Sequence, residues 1–237
     1  MGGLALKKYG ILTERKSTAD FYKIGTIISK IFENDLGVET FIPFFYREKE
    51  THGDLDLLIK IDDDFINKKI DLRKYILSRF NLNIINKNGG VYSFSYDNFQ
   101  IDIIPMNKKI WEVSKIYHSF DPFSNIIGKF FHKFGLSYGW DGLKYKYRNF
   151  NGIVVEDILV STDIEDILYF GGFDYDRYLL GFDKLEDIFN YIIDSKYFTS
   201  DIFQMSALTR IDRKRNAKRK TYQQFLKYIN ENNFCIQ

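Results

Sequence analysis

The chain has 237 residues, enough for one large domain or two small ones with a real hydrophobic core. Hydrophobic residues make up 45% of it and aromatic residues 18%, which excludes an intrinsically disordered protein. The net charge is +2, so any nucleic-acid surface must come from local clustering of cations rather than from total charge.

The first half of the chain predicts alternating helices and strands. Residues 21–33 place apolar side chains at helical spacing, with Asp20 as a candidate N-cap. Residues 38–45 and 55–61 predict strands, and the near-continuous apolar run of the second is typical of a strand covered on both faces. A further amphipathic helix is predicted over residues 68–80.

A hairpin follows these elements. Asn88-Gly89-Gly90 predicts a turn, and residues 91–96 alternate in the manner of a strand. Residues 99–104 predict the returning strand, which we expect Pro105 to end. The first half is therefore expected to be an α/β layer, with a mixed β-sheet flanked by helices.

The second half is expected to be mostly helical. A helix capped by Asp121 or Ser124 is predicted to run to Phe134 and to end at Gly135. The remaining predicted elements are a strand at 144–147, helices at 164–169 and 183–196, and a strongly basic helical segment at 207–229.

The compartment is limited by what the sequence lacks. Cys235 is the one cysteine, which excludes an intrachain disulfide framework and a multi-cysteine zinc site and suits a reducing compartment. The N-terminus has no apolar signal-peptide core, and no uncharged stretch is long enough to span a membrane. We therefore expect a soluble cytoplasmic protein without a membrane partner.

Three aspartates form a candidate metal site. Asp54 and Asp56 lie at positions i and i+2 of a predicted strand, so their side chains project from the same face. Asp102 interrupts an apolar strand, where a carboxylate is costly unless it is paired or bound to metal. Nucleotidyl transfer uses two divalent cations about 4 Å apart, held by oxygen ligands. An Asp-x-Asp pair alone is more often a solvated turn or strand end, so the pair by itself leaves both interpretations open.

The sequence around these aspartates resembles a known family. Residues 43–56, Pro-Phe-Phe-Tyr-Arg-Glu-Lys-Glu-Thr-His-Gly-Asp-Leu-Asp, resemble without a gap the motif Gly-Ser-Phe-Arg-Arg-Gly-x(4)-Gly-Asp-x-Asp of family X, the DNA polymerase β-like nucleotidyltransferases. Residues 101–105, Ile-Asp-Ile-Ile-Pro, are similar to the strand that carries the third aspartate of that family. The matching positions of the first motif are Phe45, Arg47, Gly53, Asp54 and Asp56.

The resemblance implies a division of labour along the chain. Residues 1–115 would form a nucleotidyltransferase palm, and residues 116–237 a subdomain that binds nucleotide and nucleic acid. Mg²⁺ would be the cofactor, as two ions for which Mn²⁺ can substitute. The resemblance implies that Asp54, Asp56 and Asp102 bind these ions, that Asp102 also helps to deprotonate the acceptor hydroxyl, and that Arg47 and Gly53 handle the triphosphate.

A second segment is similar to the nucleoside-binding part of the family. Residues 116–124, Ile-Tyr-His-Ser-Phe-Asp-Pro-Phe-Ser, resemble the family segment Tyr-Phe-Thr-Gly-Ser-Asp-x-Phe-Asn, which cradles the sugar and base. This similarity implies nucleoside contacts from Tyr117, Phe120, Asp121 and Ser124. A bulky Phe120 close to the 2′ carbon would favour deoxynucleotides.

The chain also departs from the family. Pro43 and Phe44 replace the Gly-Ser pair whose amide and hydroxyl approach the triphosphate, so that grip is expected to be weaker or supplied from elsewhere. About twenty residues precede the first predicted helix, too few for the lyase and helix-hairpin-helix modules of repair polymerases. We therefore expect a minimal enzyme with little dependence on a template.

A basic cluster near the C-terminus has two interpretations. It is either a solvated helix face or a phosphate-binding surface for a nucleic-acid primer or product. Tyr222, Phe225 and Tyr228 interleave with it and would either stack on bases or fill a core. The cations assigned to nucleic-acid binding are Arg210, Arg213, Lys214, Arg215, Lys218 and Arg219.

These features lead to one expected function and three alternatives. The expected function is metal-dependent transfer of a nucleoside monophosphate from a dNTP or NTP to a hydroxyl, mainly a DNA 3′-end. The alternatives are synthesis of short signalling oligonucleotides in bacterial or phage antiviral defence, nucleotidylation of a protein or RNA, and an inactive nucleic-acid-binding relic. The sequence identifies no protein partner.

Overall fold

Two compact units make up the chain, of which the computed structural model describes residues 3–232. The first unit contains residues 3–43 and 49–111, and the second contains residues 44–48 and 112–232. The predicted functional division at residue 115 stays a prediction, and Cys235 lies outside the described residues. Within residues 3–232, no helix combines the length and the apolar composition that crossing a membrane requires.

A mixed five-stranded sheet forms the centre of the first unit. Its strand order is β2–β4–β7–β6–β5, in which the central pair β4–β7 is parallel and the other pairs are antiparallel. This mixed sheet with helices confirms the predicted α/β class. The elements of the unit are β1 (Lys16–Ser17), α1 (Thr18–Leu36), β2 (Thr40–Phe41), β3 (Thr51–His52), β4 (Asp54–Ile61), α2 (Asp63–Asn67), α3 (Leu72–Arg79), β5 (Asn86–Asn88), β6 (Val91–Tyr96) and β7 (Phe99–Asn107).

The parallel pairing of β4 with β7 sorts the side chains onto two faces. Leu55 is opposite Ile101 and Leu57 is opposite Ile103, and all four are fully buried. Helix α1 lies against this apolar face, and a methyl group added to Gly25 would be in ordinary van der Waals contact with Leu55 Cδ1, at 3.6 Å. Burial of these aliphatic side chains supplies most of the stability of the sheet.

The opposite face changes character along the strands. Near the amino ends of β4 and β7 it carries polar side chains, whereas towards their carboxyl ends it is apolar. The apolar part is a buried cluster of Leu58, Ile104, Met106 and Trp111. The sheet therefore offers a polar surface only at one end of this face.

The limits of the first helix differ from the prediction. Helix α1 begins at Thr18 rather than at residue 21, and its N-cap is Ser17 rather than Asp20. The Ser17 hydroxyl accepts a hydrogen bond from the Asp20 N–H at 3.1 Å, which satisfies one of the unpaired amides of the first turn. Asp20 instead places its negative charge in that turn, where the helix dipole favours it.

Three other predicted limits were wrong in the first unit. Residues 38–45 form a strand only at Thr40–Phe41. The helix predicted from residue 68 begins at Leu72, because Asp71 caps it. Strand β7 continues through Pro105 to Asn107, since its pairing with β6 ends at Ile103 and the missing proline N–H breaks no bond to that strand.

The second unit combines helices with a three-stranded antiparallel sheet in the order β10–β9–β8. Its core is aromatic: the Phe123 ring lies 5.3 Å from that of Tyr178 and 5.7 Å from that of Tyr191. The elements, beginning at the last residue of the first unit, are α4 (Trp111–His118), α5 (Phe123–Lys133), β8 (Leu136–Gly139), β9 (Gly142–Arg148), β10 (Val154–Ser161), α6 (Ile164–Phe170), α7 (Tyr175–Leu180), α8 (Leu185–Ile193), α9 (Arg210–Asn216) and α10 (Lys220–Glu231).

Two predictions were wrong in this unit. Helix α5 begins at Phe123 with Pro122 at the N-cap position, so neither Asp121 nor Ser124 caps it. The basic segment predicted as one helix is two helices, α9 and α10, because the backbone of Arg219 is extended, with ψ of 105°, and separates them.

Candidate functional site

The structure brings Asp54, Asp56 and Asp102 together on one face of the first sheet. In the parallel register Asp56 is opposite Asp102, and Asp54 is opposite Gln100. Opposed residues of neighbouring strands project to the same side, with the strands about 4.8 Å apart. These four side chains form the polar end of the sheet face, hereafter the carboxylate face.

Asp102 is the buried member of this group. Its carboxylate is 9% exposed, and both of its oxygens accept a hydrogen bond from the Gln100 amide at 3.0 Å. The pKa of Asp102 is raised to about 6, chiefly by burial and also by the negative charge of Asp54, while hydrogen bonds from Ser93 and Gln100 offset part of the rise. A carboxyl group with this pKa can accept a proton close to neutral pH.

The segment at residues 3–5 adds hydrogen-bond donors that the sequence analysis missed. The Gly3 N–H donates to Asp54 Oδ2 at 3.1 Å, and the Ala5 N–H donates to Gln100 Oε1 at 2.9 Å. The second bond fixes the orientation of the Gln100 amide, so that its NH₂ group faces Asp102. Backbone donors stabilise ionised carboxylates, and they carry no side-chain signature by which a sequence would disclose them.

Gly3 allows this segment to lie against the strand that carries the aspartates. Its backbone is left-handed, with φ of 82°, and a Cβ atom on it would lie 2.4 Å from the carbonyl oxygen of Gly53. The Thr13 hydroxyl donates to the Gly3 carbonyl at 2.7 Å and holds the segment in place. Gly53, which the resemblance implied for triphosphate binding, is buried beneath it.

His52 is a structural residue of β3. Its ring is 2% exposed, stacks on Phe21 at 3.9 Å and lies within hydrogen-bond distance, 3.1 Å, of the Thr18 hydroxyl. Burial lowers the pKa of His52 to about 3, and the charges of Lys49 and Arg15 act in the same direction. The ring is therefore neutral at physiological pH and supports the start of β4.

The carboxylate face suits a hard cation in the type of its donors and in their common side of the sheet. The raised pKa of Asp102 reports a buried negative charge that a bound cation would compensate. In residues 3–232, however, no group of three or more His, Cys, Asp or Glu side chains is close enough together to hold an ion. The N–H donors of Gly3 and Gln100 occupy the carboxylates of Asp54 and Asp102 instead.

Arg47 lies in the second unit, where its guanidinium group is already paired. It forms an ion pair with Asp183 at 2.5 Å and donates to the carbonyl oxygen of Leu180. The Arg47 N–H also donates to the Phe182 carbonyl at 3.0 Å. Both members of the ion pair are more than half exposed, so the pair contributes less than about 1 kcal/mol to stability and exchanges easily.

The residues implied for nucleoside binding also lie in the second unit. Phe120 is buried, with its ring 4.9 Å from that of Phe182 and 5.5 Å from that of Tyr178. Its φ of 54° is rare for a bulky residue, and its N–H donates to the Phe44 carbonyl at 2.6 Å. Among the others, Tyr117 is partly buried, Asp121 is exposed and Ser124 is buried in the first turn of α5.

The basic cluster is largely solvent-facing. Helix α9 also contains Asp212, which pairs with Lys129 at 2.6 Å and reduces the positive charge of the helix. Tyr222 and Phe225 are fully buried, which confirms core packing for them and excludes base stacking. Of the assigned cations, Arg210, Arg213, Lys214, Arg215 and Lys218 are exposed and Arg219 is partly buried.

Comparison with known proteins leaves the resemblance without further support. No protein-family model matches the chain, and no curated protein matches its sequence.

Replacing Gly3 with alanine tests the close contact between the N-terminal segment and Gly53. We expect Gly10→Ala to cost only the left-handed penalty, roughly 1 kcal/mol, because nothing lies within 4 Å of its added methyl group. Gly3→Ala adds a clash with the Gly53 carbonyl and should cost at least about 1 kcal/mol more. Urea unfolding of the two variants measures the difference, and equal losses would contradict the close contact.

Replacing Asp102 with asparagine tests the pKa of that carboxyl group. The pKa of Asp102 in the folded protein lies above the ordinary value of 3.8. Below that pH the carboxyl group is protonated in the folded and unfolded states alike, so its ionisation does not alter the free energy of unfolding. As the pH rises through about 6, ionisation of the buried group destabilises the fold. Asp102→Asn should therefore stabilise the metal-free protein at pH 8, by up to about 3 kcal/mol, and have little effect at pH 4.

Unfolding midpoints in the presence of a chelator, measured at both pH values, provide the readout. Asp64→Asn is the matched control, because this exposed aspartate lies in the same unit but outside the carboxylate face. An equal effect of Asp102→Asn at pH 4 and pH 8 would show that the buried carboxyl group is not the group that titrates.

Proposed function

We propose that this protein is a metal-dependent nucleotidyltransferase of the DNA polymerase β type, with the first unit as its palm. It transfers a nucleoside monophosphate from a dNTP or NTP to a hydroxyl group, and a DNA 3′-end is the principal acceptor. The observation that carries the proposal is the parallel register that sets Asp54, Asp56 and Asp102 on one face. A carboxylate as buried as Asp102 destabilises a fold unless it is paired or bound to metal. Its presence therefore supports a functional role for this residue.

The three aspartates have different roles in this proposal. Asp54 and Asp56, which are more accessible, would hold the cations together with Asp102. When bound, two Mg²⁺ ions supply Lewis-acid activation of the attacking oxygen and stabilise charge on the departing pyrophosphate. Asp102 accepts the proton of the acceptor hydroxyl in this proposal, because its carboxylate lies on the same sheet face as Asp54 and Asp56.

The proposed reaction is an in-line displacement at phosphorus. The acceptor oxygen forms a bond to the α-phosphorus while the bond from that phosphorus to the bridging oxygen of the β-phosphate breaks. The proton of the acceptor goes to Asp102, and pyrophosphate carries away the negative charge. Residues that hold and orient the two substrates contribute most of the rate in such a transfer.

Arg47 is the residue proposed to bind the triphosphate. Arg47 can exchange its exposed ion pair with Asp183 for an ion pair with a phosphate group of the substrate. A phosphate group offers the guanidinium group several charged oxygens. Pro43 and Phe44 supply neither the amide nor the hydroxyl of the family motif, so Arg47 bears more of this task than its family counterpart. Tyr117 and Asp121 are the proposed contacts to the nucleoside.

Incorporation of labelled nucleotide tests the proposal directly. Purified protein is incubated with each α-labelled dNTP and NTP, with Mg²⁺ or Mn²⁺, and with or without a single-stranded DNA primer. We expect Asp54→Asn, Asp56→Asn and Asp102→Asn each to reduce incorporation by at least about 100-fold. The control Asp64→Asn should retain wild-type activity, because this residue is exposed and outside the carboxylate face.

The position of the label separates the alternative functions. An extended primer supports the DNA 3′-end as acceptor, and short products made without a primer identify an oligonucleotide synthase. Label bound to protein or to added RNA identifies a nucleotidylating enzyme. No incorporation under any condition, with wild type equal to the aspartate variants, would refute the enzyme and leave a nucleic-acid-binding relic.

Thermal unfolding tests the metal site independently of catalysis. A cation that binds only the folded protein stabilises it by RT ln(1 + [L]/Kd), about 2.7 kcal/mol at a concentration 100 times the dissociation constant. We expect Mn²⁺ or Mg²⁺ to raise the melting temperature of wild type and of Asp64→Asn by several degrees, and that of Asp56→Asn by much less. An equal shift in all three proteins would place the bound ions elsewhere.

A further inference from the structure

Strand β10 is an open edge of the second sheet. It pairs with β9 on one side, and no other strand in residues 3–232 pairs with its outer side. An unpaired strand edge presents a row of backbone N–H and C=O groups that can template pairing with another chain. Eight residues are long for an edge strand that stays unpaired.

The side chains of β10 are also uncovered. Five of its eight residues are aliphatic, and these five are between 38% and 60% exposed. On β9, the neighbouring Tyr145 and Tyr147 are 45% and 50% exposed. The strand carries no lysine or proline, although two acidic residues and two register irregularities interrupt it. This patch therefore has the character of an interaction surface.

We propose that β10 pairs antiparallel with β10 of a second copy of this chain, which joins the two sheets into one of six strands. A two-fold axis perpendicular to the sheet makes such a pairing self-complementary. Each copy then keeps its sheet faces on the same side, so a residue can be opposite itself at the axis. The identity of the residue at the axis decides which charges meet.

The two acidic residues of the strand exclude two of the possible registers. An axis at Glu156 or Asp157 would place like charges directly opposite each other, which is destabilising. An axis at Ile158 instead sets Asp157 against Leu159 and Glu156 against Val160. The pair of Asp157 with Leu159 lies between the two register irregularities of β10, which fall at 154–156 and 159–161, whereas Val160 lies inside the second.

Centring on Ile158 also makes one face of the joined sheet continuous. Tyr145 is opposite Ile158 within each chain. The order across the interface is therefore Tyr145, Ile158, then Ile158 and Tyr145 of the second copy. The side-chain pair that forms across the interface is Ile158 with its copy, a β-branched cross-strand pair, and the outer backbone groups gain hydrogen bonds as well.

The test combines mass with register-specific crosslinking. Sedimentation equilibrium of the full chain should give twice the chain mass at micromolar concentration. Ile158→Lys should give a monomer, because it places two like charges at the axis. Ile211→Lys, a matched change on helix α9 at a side chain 80% exposed, should leave the dimer intact.

Single-cysteine variants in a Cys235→Ser background locate the axis. Ile158→Cys should form an intermolecular disulfide on oxidation, because opposed Cα atoms are about 4.5–5.5 Å apart. Val155→Cys should not, since its copy would be displaced by six residues, about 20 Å. A monomer at all concentrations, a dimer that Ile158→Lys does not disrupt, or no crosslink through Ile158→Cys would each overturn the proposal, and a monomer would leave the edge to a strand of another protein.

Discussion

The register between β4 and β7 is the constraint on which the candidate site depends. A shift of either strand by one residue would exchange its two faces and move its carboxylates under helix α1. Leu55, Leu57, Ile101 and Ile103 oppose this shift, because it would expose their aliphatic side chains. The hydrophobic pattern that attaches the helix therefore also determines where the aspartates lie, although it has no chemical part in their function.

The site is placed at a cost to the fold. Asp102 is buried beside another negative charge, and neutral donors from Gln100 and Ser93 compensate only part of its loss of hydration. The Asp102 carboxylate is therefore only partly stabilised by its hydrogen bonds. Partly compensated buried charges are more frequent at functional sites than elsewhere. The burial of Asp102 distinguishes the carboxylate face from the exposed acidic residues of helix α2.

Much of this arrangement was readable from the sequence, and the remainder depends on contacts that leave no local mark. The apolar run after Asp54 and the isolated Asp102 predicted two neighbouring buried strands, because both patterns reflect burial. Ser17 rather than Asp20 caps the first helix. Serine and aspartate both suit the N-cap position, so only the backbone conformation decides which of them occupies it. The donation from Gly3 to Asp54 joins residues far apart in sequence through a backbone amide, which every residue except proline possesses.

The separation of the two strands along the chain has a kinetic consequence. Asp56 and Asp102 are 46 residues apart and meet only when β4 and β7 pair. A hairpin such as β5–β6 closes early because its loop is short, whereas a parallel pair with intervening helices closes late. During synthesis the chain would therefore bury its local hydrophobic contacts before the three carboxylates converge. An incomplete chain that ends before β7 would lack the third carboxylate of the proposed cation site.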